Sequence, residues 1–496
     1  MQINSILLWI VSLEHIYLLI WSGFVIAILL SHKQPTSTMS WLFIITIMPI
    51  FGMALYLFLG INWRQRAFIN SHKTTSKKSV LYILNSNLVE YEATNFFNLR
   101  NNKNDYIKEF SNHSNKEIIN LIYDLNKTLP NLNQSCEIYH NGKNAFSVLI
   151  KDLENAKETI FMQYFIWRSD ALGKEIKNLL IQKANEGIKI KLLFDGAGSF
   201  FTISRKYKRA LEDAGVEFLY FLNIKNSLLK LNYRNHRKMT IIDGKILHSG
   251  GMNLGLEYIT GGKKFQSWKD TNFRIVGDMA IYYLAVFATD WLNSNGKFDF
   301  SYFDKIIKKD PPFKNGILMQ AVYSGPDSKY PAIKFLYTKF ITNAKKEILI
   351  QTPYFTPNHS IIQQLKIASL SSVKVKILTV GKPDKLIPYW VGQTYIEELL
   401  ASNVEIYRYK KGFLHSKFML YDDEISTIGT CNFDSRSFNI NYEINTVFYD
   451  KKINANLKAQ FYKDLKNSVK ITPKLYKKNF LVRLRNSFFR LVAPIL

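Results

Sequence analysis

Two short stretches of the chain carry the same three chemical groups at the same spacing. His236 is followed by Lys238 and Asp243, and His415 by Lys417 and Asp422, so the pattern H-x-K-x4-D is written twice. The agreement continues downstream. Gly250 and Gly429 each lie 14 residues after their histidine, and Asn253 and Asn432 each lie 17 after it. One such match in a chain of this composition is expected on the order of 0.05 times, so two with the same trailing Gly and Asn mark a duplicated unit.

The chemistry these groups suit is phosphodiester exchange. A neutral imidazole can attack phosphorus and form a covalent phosphohistidine. A second, protonated imidazole can give its proton to the departing oxygen and then take one from the incoming hydroxyl. An unperturbed pKa of about 6.5 lets imidazole serve in either form near neutrality. Lys238 and Lys417 would hold the anionic oxygens, with Asn253 and Asn432 donating amide hydrogen bonds. Such a site calls for no metal and no other cofactor, because the lysines provide the positive charge. Cys136 and Cys431 have neither the spacing of a disulfide framework nor that of a zinc site. Asp243 and Asp422 are counted with the catalytic motifs. Each follows a strand-length run that aims it elsewhere, which gives it a partly structural role.

Duplicated groups need duplicated elements to bring them together. In the first copy, strand-like runs at 159–166, 187–194 and 215–218 alternate with helical stretches at 175–185 and 206–213, and His236 leads into a run at 239–242. The second copy repeats the order: runs at 347–351, 373–378 and 404–406, helices at 361–368 and 394–401, then His415 leading into 418–421. Short β-branched runs alternating with helices indicate parallel βαβ units, hence a duplicated α/β protein.

The 496 residues carry 66 basic and 39 acidic side chains, a formal charge of +27, which implies an anionic partner. The N-terminus narrows the choice. Residues 6–30 and 39–61 are both apolar over about the 20 residues a membrane span needs. The first lacks the basic start and small-residue cleavage site of a signal peptide. The connector carries only Lys33, whereas Arg64, Arg66, Lys73, Lys77 and Lys78 follow the second span. The positive-inside rule therefore places all that follows in the cytoplasm. The chain divides into a two-helix transmembrane hairpin (1–61), a basic tether with a helical lead-in (62–134), two α/β halves (135–300 and 315–470) and a basic amphipathic tail (471–496). In that tail Leu481, Leu484, Phe488, Leu491 and Ile495 recur at helical spacing, as they would in a helix lying in an anionic membrane interface.

Further motifs carry a family resemblance. They are Gly250-Gly251-Met252-Asn253, Trp268-Lys269-Asp270-Thr271, Ser324-Gly325-Pro326-Asp327, Thr352-Pro353-Tyr354-Phe355, the run from Gly429 to Ser437, and Asn441-Tyr442-Glu443. With them the chain resembles the phospholipase D superfamily and, within it, the bacterial cardiolipin synthases. The resemblance runs from the first apolar stretch to the last residue and is weakest over 62–134. It implies two halves packed face to face around a pseudo-two-fold active site. It also implies an enzyme of the bacterial inner membrane that converts two phosphatidylglycerol molecules to cardiolipin and glycerol. His236 would be the nucleophile and His415 the acid and then base. Asp270 and Glu443 stand where the family has a carboxylate, each about one strand-turn-strand unit after its own histidine, and are expected to orient the imidazoles. One departure is Ser371-Ser372, where the family usually has glycine, so the exit of that helix is expected to differ. The residues alone leave open a phospholipase D-type hydrolase and a membrane-tethered nucleic-acid phosphodiesterase. The apolar hairpin and the lack of an aromatic-basic recognition module speak against a nucleic-acid partner. Oligomeric state is not legible.

Overall fold

The computed structural model describes residues 2–31, 35–60, 113–222, 232–303, 306, 316–473, 476, 478–491 and 493. The expected tether over 62–112 lies outside them, as do Lys33 and the basic cluster from Arg64 to Lys78. The chain forms two compact units, Met1–Thr74 and Thr75–Leu496.

In the first unit a helix runs over Gln2–Leu29, and two more cover Pro35–Ile47 and Pro49–Leu55, ending in a π-helical turn at Tyr56–Gly60. The second expected span is therefore divided. The break falls at Met48, because Pro49 lacks the N–H that would continue the preceding helix and starts a new one instead. Side chains of the first helix are described from Glu14 onward, and among the described residues no helix is long and apolar enough to cross a membrane. Ile28, Ile45 and Tyr56 pack together, with Phe24 and Trp41 against them. Leu19, Leu30, Met39, Phe43 and Ile50 stay exposed.

The second unit is built on one fifteen-stranded sheet. Its first half contributes β1 (Asn131–Tyr139), β2 (Thr159–Tyr164), β3 (Lys189–Asp195), β4 (Glu217–Phe221), β5 (Met239–Ile242), β6 (Ile246–Gly250), the outlying β7 (Trp268–Lys269) and β8 (Asn272–Gly277). Its second half has β9 (Ile317–Ser324), β10 (Glu347–Gln351), β11 (Phe355–Thr356), β12 (Lys374–Val380), β13 (Glu405–Tyr409), β14 (Phe413–Leu414), β15 (Phe418–Tyr421), β16 (Ile425–Gly429), β17 (Phe433–Asp434), β18 (Glu443–Phe448) and β19 (Ser468–Ile471). Outward from the middle, one half runs β1-β8-β6-β5-β2-β3-β4 and the other β9-β18-β16-β15-β10-β12-β13, with β19 added at the edge. The duplication is thus visible strand by strand. Within this sheet β2-β3-β4 and β10-β12-β13 are parallel and the other pairs antiparallel; outside it, the short pairs β7-β14 and β11-β17 are parallel. β2 and β10 are buried along their whole length, as expected of parallel strands covered on both faces.

The resemblance implies halves packed face to face, but their sheets do not meet in that way. They join edge to edge through β1 and β9, antiparallel, with Asn131 opposite Met319, Leu132 opposite Leu318 and Asn133 opposite Ile317. Each sheet would otherwise present a row of unpaired main-chain groups at that edge, and pairing satisfies both rows. The lead-in helix covers His113–Asn126. It crosses to the second half, where Ile118, Ile119 and Ile122 join the core of Val322, Ile333 and Tyr337.

The helix exit at Ser371-Ser372 does not differ from its glycine counterpart. Ser372 takes φ +69°, the left-handed conformation that Gly187 takes at φ +90° in the first half. Its N–H donates to the carbonyl of Ser369, as that of Gly187 does to Ala184. The serine accepts the strain because the closing hydrogen bonds fix the turn.

Candidate active site

Each catalytic-motif histidine is strapped to the opposite half by its backbone. Leu414, just before His415, ends β14, which pairs in parallel with β7 of the first half. The His415 N–H donates to the carbonyl of Lys269 at 2.6 Å. In the same manner Asn235 bridges to Tyr442, and the His236 N–H donates to the Tyr442 carbonyl at 2.9 Å. Lys269 and Tyr442 directly precede Asp270 and Glu443. The straps therefore deliver each carboxylate to the other half's imidazole. His236 Nδ1 lies 3.0 Å from both oxygens of Glu443, and His415 Nδ1 lies 2.6 Å from Asp270 Oδ2. The expected pairing of each carboxylate with its own preceding histidine is thus corrected. Sequence proximity favours the same-half pair, but the inter-half strand pairing decides.

Both carboxylates are fully buried, and their surroundings differ. Burial alone would raise Glu443, yet His236, Lys238 and the Thr430 hydroxyl, which donates at 2.5 Å, hold it below the ordinary carboxylate range. Burial wins at Asp270 and pushes it up to about 6, against Lys417 and the Thr271 N–H. Burial holds His236 down to about 4, with Glu443 opposing. Burial together with Lys417 holds His415 well below the usual imidazole value.

The two lysines lie inside the site, each folded onto its own histidine. Lys238 Nζ donates to the His236 carbonyl at 2.5 Å, and Lys417 Nζ donates to the His415 carbonyl and lies 2.8 Å from His415 Nδ1. Burial brings Lys417 down to about 8 and Lys238 well below the ordinary lysine value. His415 sits among aromatic rings, with Trp268 at 5.6 Å and Phe413 at 5.7 Å, whereas His236 has Phe165 at 5.2 Å.

The two asparagines have different surroundings. Asn253 is held at both ends: its Oδ1 accepts from the Ile166 N–H at 3.1 Å and its Nδ2 donates to the Tyr258 hydroxyl at 2.8 Å. An amide nitrogen has two N–H donors, so that bond uses one of them. Asn432 is buried with its side-chain Oδ1 unpartnered.

The motif aspartates stand outside the site, which corrects their place among the catalytic groups. Asp243 accepts from the backbone N–H groups of Lys157, Glu158 and Thr159 at 2.7–2.9 Å, and Asp422 from those of Lys345, Lys346 and Glu347 at 2.6–2.8 Å. Both take the left-handed backbone conformation, at φ +52° and +51°. They fasten the turn after β5 or β15 to the start of β2 or β10. Asp422→Ala should therefore cost about 1–3 kcal/mol of stability. It should lower the melting temperature while leaving turnover of the folded protein unchanged, as paired thermal-unfolding and rate measurements would show.

Sequence reasoning passed over Thr430 and Tyr258. A signal for Thr430 was available: it occupies the position of Gly251 in the other copy. A Cβ at Gly251 would lie 2.1 Å from Asp270 Oδ1, so the shorter carboxylate approaches a bare backbone there. On the other side Thr430 bonds the longer Glu443. Among the described residues no group of three or more His, Cys, Asp or Glu is placed to hold a metal ion.

Comparison with known proteins adds independent findings. A family model described as "Cardiolipin synthase, PLD-like domain" matches residues 149–266 and 337–465, and one described as "Phospholipase_D-nuclease N-terminal" matches 18–60. The chain is 36% identical to the major cardiolipin synthase ClsA of Bacillus subtilis over 500 residues, covering 100% of both chains. It is 36% identical to a cardiolipin synthase of Staphylococcus aureus over 474 residues, covering 95% of this chain and 93% of that one. Among solved structures, a phosphatidylserine synthase from Haemophilus influenzae matches with a TM-score of 0.59 at 14% identity, covering 77% of this chain and 100% of that one. That likeness establishes the duplicated fold.

Proposed function

The chain belongs to the phospholipase D-like cardiolipin synthases, a family of phosphatidyltransferases, and from that premise we propose how its own residues carry the reaction. It makes cardiolipin by phospholipase D-type chemistry. The observation that carries the residue assignment is the reciprocal pairing of His236 with Glu443 and of His415 with Asp270.

Glu443 holds Nδ1 of His236, which leaves the Nε2 lone pair for phosphorus. Nε2 attacks the phosphodiester of one phosphatidylglycerol, forming a P–N bond as the P–O bond to the headgroup glycerol breaks. His415 gives its proton to that departing oxygen. It then takes the proton of a terminal hydroxyl on a second phosphatidylglycerol, whose oxygen attacks phosphorus and expels His236. Cardiolipin and glycerol are the products. An anionic phosphodiester between Lys238 and Lys417 favours the charged forms of both lysines and of His415, reversing what burial does to the empty site. The lysines then offset charge on the non-bridging oxygens in a site closed to water.

Residues 1–61 serve as a membrane anchor in this reading, a hairpin with the catalytic unit on the cytoplasmic side. The apolar side chains left exposed on the first unit support the anchor, and the positive charge that follows it in the sequence supports the sidedness. The expected result is a full-length chain that carbonate does not release from membranes. In detergent–lipid micelles containing EDTA it converts phosphatidylglycerol to cardiolipin plus glycerol, seen by mass spectrometry. Phosphatidic acid as the main product would instead make water the acceptor.

The charge of Lys417 sets an alkaline limit. Its pKa is depressed to about 8, so in the free enzyme the phosphate-binding ammonium form is lost as pH rises through that value. The expected profile is a fall in kcat/KM above about pH 8, through KM, with kcat holding further because bound phosphate keeps the lysine charged. Lys417→Arg should carry the limb to higher pH. A limb unmoved by that substitution assigns it to another group.

A further inference from the structure

The C-terminal helix is docked through Phe489, whose ring meets Trp390 at 5.1 Å, together with Asn486 and two arginines. It covers Phe480–Arg490 and is capped by Asn479, whose side chain accepts from the Val482 N–H at 3.0 Å. It lies along the helix Leu386–Leu400. Asn486 is buried in that contact, the Arg485 guanidinium stacks 4.3 Å over Trp390, and Arg490 stacks 4.6 Å over Tyr395 and reaches Glu398 at 3.5 Å. The side turned outward is apolar. Phe480, Leu481, Leu484, Phe488 and Leu491 are 56–76% exposed and form one continuous stripe. The arginines that an interfacial helix would direct toward headgroups are used here to hold the helix to the enzyme.

We propose that this stripe is a lipid-docking platform that sets the catalytic unit on the bilayer with its cleft facing the surface. Three observations favour a bilayer over a protein partner. First, Leu386 and Ile387, at the start of the supporting helix, are also exposed, so apolar surface continues from the stripe to the helix that carries it. Second, the start of that helix adjoins the active site. Asp384, two residues earlier, accepts from the Tyr354 hydroxyl at 2.6 Å, and its charge acts on both His415 and Lys417. A helix of that length spans about 22 Å, so the platform and the cleft mouth are rigidly linked. Third, the chain is basic overall, and the Arg483 side chain, at the flank of the stripe, is 64% exposed, which suits an anionic lipid surface. Exposed apolar area on this scale marks an interaction surface. The inference rests on the reading that the cleft takes its substrate from a bilayer.

The test uses the full chain reconstituted in vesicles of phosphatidylglycerol and phosphatidylcholine. Leu484 is replaced by the photoreactive residue p-benzoylphenylalanine, and the cross-linked products are weighed. Lipid adducts at position 484 are expected. Chain-to-chain cross-links would make the stripe a contact between copies, and the absence of both would leave it in water; either overturns the proposal. This readout does not depend on activity, so it stands apart from failure of the assigned reaction. A second arm compares the double variant Leu484→Gln/Phe488→Gln with the parent. Turnover of vesicle-borne phosphatidylglycerol should fall on the order of tenfold, given the apolar burial lost at the interface. Turnover of a monomeric, short-chain phosphatidylglycerol should be unchanged. Equal loss on both substrates, or loss on neither, overturns the platform.

Discussion

His236→Ala is expected to abolish cardiolipin formation and to leave no phosphatidyl–enzyme adduct with any donor. Without the Nε2 lone pair there is no covalent route, and the remaining groups can only hold phosphate. His415→Ala is expected to behave differently. It should lose roughly 10²–10⁴-fold in turnover of phosphatidylglycerol, the usual worth of a positioned acid–base group. It should still attack a phosphatidyl donor whose leaving group needs no proton. The adduct on His236 should then accumulate, because nothing takes the proton from the acceptor hydroxyl. Acid destroys a phosphohistidine, so the adduct is trapped by alkaline quench and located by peptide mass analysis. An adduct on His415, or one that survives His236→Ala, would exchange the two roles and leave the two-histidine scheme standing.

The reciprocal carboxylates give the second large effect. Glu443→Gln keeps shape and hydrogen-bonding capacity but no longer fixes the tautomer of His236. Asp270→Asn does the same to His415. Each should cost about two to four orders of magnitude in kcat/KM, the range seen when the carboxylate behind a catalytic imidazole becomes an amide. The two losses should differ in kind. With a donor bearing a good leaving group, Asp270→Asn should recover adduct formation, since only the His415 steps are impaired. Glu443→Gln should not recover it, since the attack itself is impaired. If each carboxylate served the histidine of its own half, the pattern would reverse. Single-turnover adduct formation with the two donors decides between them.

His236, Lys238, His415 and Lys417 were legible in the sequence because the duplication repeats them at one spacing, whereas Asp270 and Glu443, 34 and 28 residues after the histidines that precede them, came from the resemblance. The structure brings these six side chains together. The alternation of strand and helix was legible for the same reason, in β2-β3-β4 and again in β10-β12-β13. What the sequence could not convey was which half closes on which. Asp270 is 34 residues from His236 and 145 from His415, yet it bonds the latter, because the pairing of β7 with β14 is a tertiary choice that no local pattern encodes. The break before Pro49 was written in the sequence, but the apolar run hid it. The stripe on the C-terminal helix was legible as a stripe, while its outward direction was set by Trp390, Tyr395 and Glu398, far upstream. Asp243 and Asp422 mislead for a different reason. They recur with the catalytic motif because the same turn recurs, so repetition there records architecture.

The joint between β1 and β9 acts as a gauge for the whole reaction centre. It is three residue pairs long, and Asn133 reaches across it at one end: its Nδ2 donates to the Ile317 carbonyl at 3.5 Å, while its Oδ1 accepts from the Met279 N–H at 2.9 Å. A slip of one residue along that joint would slide one half past the other by about 3.4 Å. Such a shift is as large as the gaps that join His236 to Glu443 and His415 to Asp270, so it would part both pairs at once. Tolerance at the centre is therefore set some distance away, at a seam that touches no substrate. Substitutions at that seam should act on chemistry in an all-or-none manner, with the two imidazoles aligned together or lost together.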